Sequence, residues 1–166
     1  MHQAQGSIRK AQVTDVPVLV ELAEQRRLQY QEYQPRFWRK AVDSQQKQVP
    51  FFEHLLGRND VMALVYERAG NIEGFILADL VPAPPVYDPG GPTCRVDDYC
   101  LAHGCTWESV GEPLLVAVLQ EAKGRGAAQA VVVCGHMDRP KREMLAAMGF
   151  TIASEWYVKD LADDPT

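Results

Sequence analysis

Apolar positions recur at two spacings along the chain, and each change of spacing marks a new element. Ser7-Ile8-Arg9-Lys10-Ala11 alternates and predicts a short first strand. Thr14 then stands at an N-cap position, Asp15 suits the first turn, and Pro17 is tolerated there. Val16, Leu19, Val20 and Ala23 follow at helical spacing, predicting a helix from about Asp15 toward Tyr33 that Gln34-Pro35 stops. A second helical segment is expected from Phe37 to Gln46, and a further turn or two after Pro50 through Phe51, Phe52, Leu55 and Leu56.

Val61 to Tyr66 and Ile72 to Leu80 read as paired strands around the turn residues Arg68-Ala69-Gly70-Asn71. Prolines 82, 84, 85, 89 and 92 make the segment from Val81 to Thr93 a long surface loop. Arg95 to Leu101 resumes as strand. Leu114, Leu115, Val118, Leu119 and Ala122 mark one helix face, closed by Gly124 and Gly126. The β-branched run Ala130 to Cys134 predicts a buried parallel strand. A helix from Pro140 through Met144, Leu145 and Met148 follows, and Phe150 to Val158 is expected as a final strand. The order β, α, α, β, β, β, α, β, α, β describes one α/β (α+β) domain over residues 1–166, with a mixed sheet flanked by helices.

Composition narrows the functional classes. At 166 residues, 46% apolar and 23% charged, the chain suits a single soluble domain. No apolar run approaches the roughly 18 residues that span a bilayer, and the first residues lack the apolar core of a secretory signal, so no membrane partner is expected. Cys94, Cys100, Cys105 and Cys134 form no CxxC pair, which makes a reduced, cytoplasmic protein the expectation. A net charge of −5 without a Lys/Arg cluster speaks against a nucleic-acid partner.

The stretch from Asp97 to Leu115 carries the candidate chemistry. Strand, short loop and helix start succeed one another, which turns backbone N–H groups and a positive helix end toward one place where a phosphate can sit. His136 and Asp138 lack a further ligand at metal spacing, so no metal is expected.

In order and spacing the chain resembles the Gcn5-related N-acetyltransferases from about Ile8 to Leu161. Against that family's R/Q-x-x-G-x-G/A loop, Thr106, Ser109 and Gly111 occupy the three marked positions, and Leu114-Leu115 matches the leucine pair that follows. In the second block Asp138 stands at the asparagine, Lys141 at the alanine and Leu145 at the tyrosine, while Gly149-Phe150 is retained. The resemblance implies acetyl-CoA as co-substrate. The backbone of Cys100, Leu101 and Ala102 would hold its pantetheine arm, and Thr106, Trp107, Glu108, Ser109, Val110, Gly111 and Glu112 its pyrophosphate. Glu108 and Glu112 are unfavourable there unless they point outward.

Asp97 and Asp98 are the carboxylates placed to take a proton from an attacking ammonium, and strict alternation puts only one of them in the cleft. His103 is a candidate proton relay, with an unperturbed pKa near ~6.5. Tyr30, Tyr33, Phe37 and Trp38 are candidates for an acceptor pocket. The expected activity is acetyl transfer to an amine of a small molecule or protein by direct attack. Its rival is an inactive CoA-binding or interaction module of the same fold. A homodimer stays open.

Overall fold

The apolar runs pair in chain order into one five-stranded sheet, β1 to β5. A computed structural model describes residues 6–162 and gives β1 Ser7–Lys10, β2 Val61–Arg68, β3 Asn71–Val81, β4 Thr93–Leu101 and β5 Gln129–Val132. The first four pair antiparallel, and β4 with β5 is parallel. Ala69 and Gly70, at φ of 50° and 80°, make the tight turn that joins β2 to β3. The helices are α1 Val16–Tyr33, α2 Ser44–Leu56, α3 Glu112–Gly124 and α4 Arg139–Ala147. A parallel pair needs a crossover, and α3 supplies it between β4 and β5.

Strand alternation divides the core in two. Leu64, Ile76, Ala78 and Val96 face α3 and α4, where they meet Leu114, Leu115, Val118 and Met144. Val65, Phe75, Leu77 and Cys100 face α1 and α2, against Val16, Leu19, Ala23 and Phe52. Each fully buried Val, Leu, Ile, Phe or Met among them contributes about 1.5–3 kcal/mol. The sheet is thereby held on both faces, which fixes where the ends of β4 and β5 lie.

Four expectations differ from the fold. The strand expected to be buried from Ala130 to Cys134 is an edge strand that ends at Val132, with Val131 42% exposed. The helix expected from Phe37 to Gln46 is absent up to Asp43; residues 35–38 form a turn and α2 begins only at Ser44. The cause is tertiary: the buried Glu24 of α1 accepts from Ser44 Oγ at 2.8 Å and pairs with Lys40 at 2.6 Å, fixing the connection in a non-helical path. Pro50 lies inside α2 instead of starting a new segment, and Phe52, fully buried edge-on to Phe75 at 5.8 Å, anchors the helix around it. The expected last strand, Phe150 to Val158, is not a strand. Thr151 to Val158 is exposed and joins no ladder of the sheet. It is tied instead through Trp156, edge-on to Phe37 at 6.1 Å, and through Asp160, 3.0 Å from Arg36.

Candidate active site

A split between β4 and β5 defines the site. The two strands pair from Thr93 and Gln129 to Val96 and Val132, and the Val133 N–H donates to Val96 O at 3.0 Å. Past that point they part. The β3 register passes from Ala78 opposite Val96 to Ile76 opposite Tyr99, so Asp97 and Asp98 share one facing residue and form a bulge. On the other side, Tyr30 of α1 wedges under the β5–α4 connection. Its hydroxyl accepts from Gly135 N–H at 3.2 Å and donates to Asp138 Oδ2 at 2.8 Å. A Cβ at Gly135 would come within 3.0 Å of the Tyr30 ring, so glycine permits this approach.

The bulge decides between the two aspartates. Asp98 turns toward α1, where its carboxylate meets Arg26 at 3.0 Å, while Arg26 also donates to Asp97 O at 3.1 Å. Asp97 is exposed. Burial pushes the Asp98 carboxyl above its ordinary range, against the pull of Arg26. His103 lies exposed in the turn beyond β4. The Cys100 thiol is buried on the α1 face, and burial pushes its pKa up, which disfavours the thiolate.

Of the three backbone positions expected to grip a pantetheine arm, Ala102 is spent, because its N–H donates to Glu73 O at 2.8 Å. An antiparallel ladder alternates its hydrogen-bonding edge. Ala102 and Cys100 therefore address β3, and Tyr99 and Leu101 present their amides to the split. Of the three, only Leu101 turns its amide toward the split.

The helix start is a π-helical turn, Trp107–Gly111, that runs into α3. Thr106 caps it: its Oγ1 accepts from Ser109 N–H at 3.2 Å and its carbonyl from Val110 N–H at 3.1 Å. Trp107 packs edge-on against Tyr99 with ring centroids 4.8 Å apart. Val110 and Gly111 are buried beneath, and Glu108, Ser109 and Glu112 are exposed. A Cβ at Gly111 would lie 2.5 Å from the Trp107 ring and 3.1 Å from Tyr99 Oη, so this glycine serves packing inside the turn. Tyr99 Oη is fully buried and, among the described residues, meets no hydrogen-bond partner. Tyr99 Oη thus stands as an unpaired donor under the first turn of α3, in the field of the Glu112 carboxylate.

One residue of the split lies outside the candidate set drawn from the sequence. Lys141 of α4 is fully buried, and its ammonium donates to Val133 O at 2.9 Å. It stands 5.0 Å from the Tyr99 ring centroid and 5.2 Å from that of Trp107. Burial lowers its pKa below the usual lysine range. The signal was a lysine sharing a helix face with Met144, Leu145 and Met148, three and four residues apart and beyond. Leu145 is buried in the core and brings no hydroxyl. Asp138 caps α4 through Lys141 N–H and holds Tyr30, and His136 is exposed.

The aromatic residues of α1 and its following turn adjoin the split. Trp38 lies 5.2 Å from Tyr30, Phe37 4.6 Å from Trp38, and Tyr33 5.7 Å from Tyr30. A separate groove of about 570 Å³, bounded by Pro82, Tyr87, Arg95 and Val131, opens at the opposite end of β4. No helix among the described residues is long and apolar enough to cross a membrane.

No protein-family model matches the sequence, and no curated protein matches it. Solved structures do. A predicted acetyltransferase from Clostridium acetobutylicum, determined with acetyl-CoA, is 18% identical with a TM-score of 0.74 over 96% of this chain and 99% of that one. An aminoglycoside N-acetyltransferase in complex with CoA is 13% identical, with a TM-score of 0.71 over 95% of each chain. A ribosomal-protein-alanine N-acetyltransferase from Brucella melitensis is 17% identical, with a TM-score of 0.66 over 95% of this chain and 100% of that one. The chain has the fold of the Gcn5-related N-acetyltransferases.

Proposed function

We propose that the protein transfers an acetyl group from acetyl-CoA to an amine. The observation that carries this reading is the parting of β4 from β5 directly beside a helix start with an unpaired buried hydroxyl beneath it. A long, thin molecule with an anionic middle fits that geometry. Its arm lies along the free edge of β4, at Tyr99 and Leu101, and its phosphates lie at the turn from Trp107 to Glu112. Similar structures hold acetyl-CoA or CoA, which supports the same choice of donor.

In this reading an amine enters from the side of Tyr30, Tyr33, Phe37 and Trp38. Asp98 takes a proton from its ammonium, directly or through water, and the free amine attacks the thioester carbonyl. Raised above the usual aspartate range by burial, Asp98 is a better base than an exposed aspartate. Asp97 and His103, both exposed, have supporting parts at most. The acceptor class is an amine of a small molecule or a peptide.

The second reading, a CoA-binding module without turnover, draws on one observation: Thr106 already satisfies two amides of the turn, Ser109 and Val110. Thiol release from acetyl-CoA across a panel of amines separates the two. Amine-dependent release supports transfer; tight binding with no release supports the module.

A further inference from the structure

We propose that Lys141 is a catalytic residue of this acyl transfer, giving its proton to the sulfur of CoA as the carbon–sulfur bond breaks. The assignment rests on the reading above. It starts from a burial that needs an explanation. Among the described residues no carboxylate lies within ion-pair distance of Lys141 Nζ, although an ammonium removed from water costs several kcal/mol. One of its three N–H donors is given to Val133 O, and the Tyr99 and Trp107 rings supply the remaining contact.

The location matters more than the cost. Val133 is the residue at which β4 and β5 separate, since its own N–H makes the last bond to Val96. Lys141 Nζ therefore sits at the closed end of the split. In this proposal an acyl group threaded between the strands ends there, with its thioester brought toward the ammonium.

The surroundings tune the group for such a role. Desolvation and the nearby Arg26 of α1 disfavour the charged form, the carboxylates of Asp138 and Asp98 favour it, and burial prevails. Burial moves the Lys141 ammonium down from the ordinary lysine range, in the direction of a thiol, which makes it a readier proton donor to a thiolate. In the transfer step the amine nitrogen bonds to the carbonyl carbon, the carbon–sulfur bond breaks, and the sulfur takes the Nζ proton. Neutral Lys141 regains a proton from the nitrogen that became the amide, and the proton held by Asp98 leaves to solvent.

The test compares Lys141→Arg and Lys141→Met with the wild type, by calorimetric acetyl-CoA affinity and by pH profiles of amine-dependent CoA release. Arginine keeps the cation, the ring contacts and a donor for Val133, yet does not release a proton. The wild-type profile should fall at alkaline pH as Lys141 deprotonates. Both variants should bind acetyl-CoA as before, lose about a hundredfold in kcat, the low end of acid–base contributions, and lose the alkaline limb. Adding Leu145→Tyr, one turn along the same face, should restore part of the rate to Lys141→Met. A folded variant with wild-type kcat and profile overturns the assignment alone. A wild type lacking the alkaline limb does so too, even if neither variant folds. A wild type that releases no CoA overturns the assignment and the acyl-transfer reading together.

Discussion

The hydroxyl of Tyr30 donates to Asp138 at 2.8 Å across 108 residues of sequence, and it is the link by which α1 sets the far wall of the split. Gly135 N–H uses the same oxygen, so one side chain satisfies groups from two parts of the β5–α4 connection. Tyr30→Phe leaves both buried groups unpaired at almost unchanged volume. It should lower stability by between ~1 and ~3 kcal/mol, read from the urea midpoint at constant m. An unmoved midpoint would mean that the wedge is held by ring packing alone.

Much of this architecture was legible because it depends on neighbours in sequence. Runs such as Val61 to Tyr66 announce strands, and the leucine face from Leu114 to Ala122 announces α3. What escaped depends on distant partners. Phe37 to Gln46 has helical spacing, but Glu24 draws Lys40 and Ser44 into another path. Phe150 to Val158 has strand composition, yet forms no ladder with the sheet. At Asp97 and Asp98 the bulge suspends the alternation on which the reading relied. Lys141 registered as a departure from a small residue, and only the folded chain shows its ammonium enclosed at the closed end of the split.

Gly111 should not tolerate even a methyl group. Its Cβ would overlap the Trp107 ring, which Tyr99 and Lys141 hold in place. Gly111→Ala is expected to destabilise by about 1–3 kcal/mol through overpacking, with a matching fall in Tm. A wild-type Tm would show that the turn has room to relax.

The two aspartates should separate cleanly. Asp98→Asn is expected to reduce turnover by ~10²–10⁴-fold with acetyl-CoA affinity retained, whereas Asp97→Asn should be nearly silent. In the wild type, turnover should rise with pH through a limb above the ordinary aspartate range, because burial raises the Asp98 pKa. The Asp98→Asn enzyme should lack that limb. Equal activity of both variants at every pH would remove Asp98 from the proton path.

Lys141 also predicts a pH dependence of stability that needs no substrate. Its folded pKa lies below the unfolded value of ~10.4, so between the two the unfolded chain binds more protons. Stability therefore rises with pH across that window, and the penalty is fully present below the folded pKa. Measured by urea unfolding, Lys141→Met should exceed the wild type most on the acidic side of that window, with the difference shrinking as pH approaches ~10. A constant difference would show that burial does not burden the charge.

The most direct measurement is a calorimetric titration of the wild-type protein with acetyl-CoA. Saturable binding to one site per chain is expected, weakened by Tyr99→Phe, which removes the buried hydroxyl beneath the first turn of α3. An absence of binding at millimolar acetyl-CoA would contradict it.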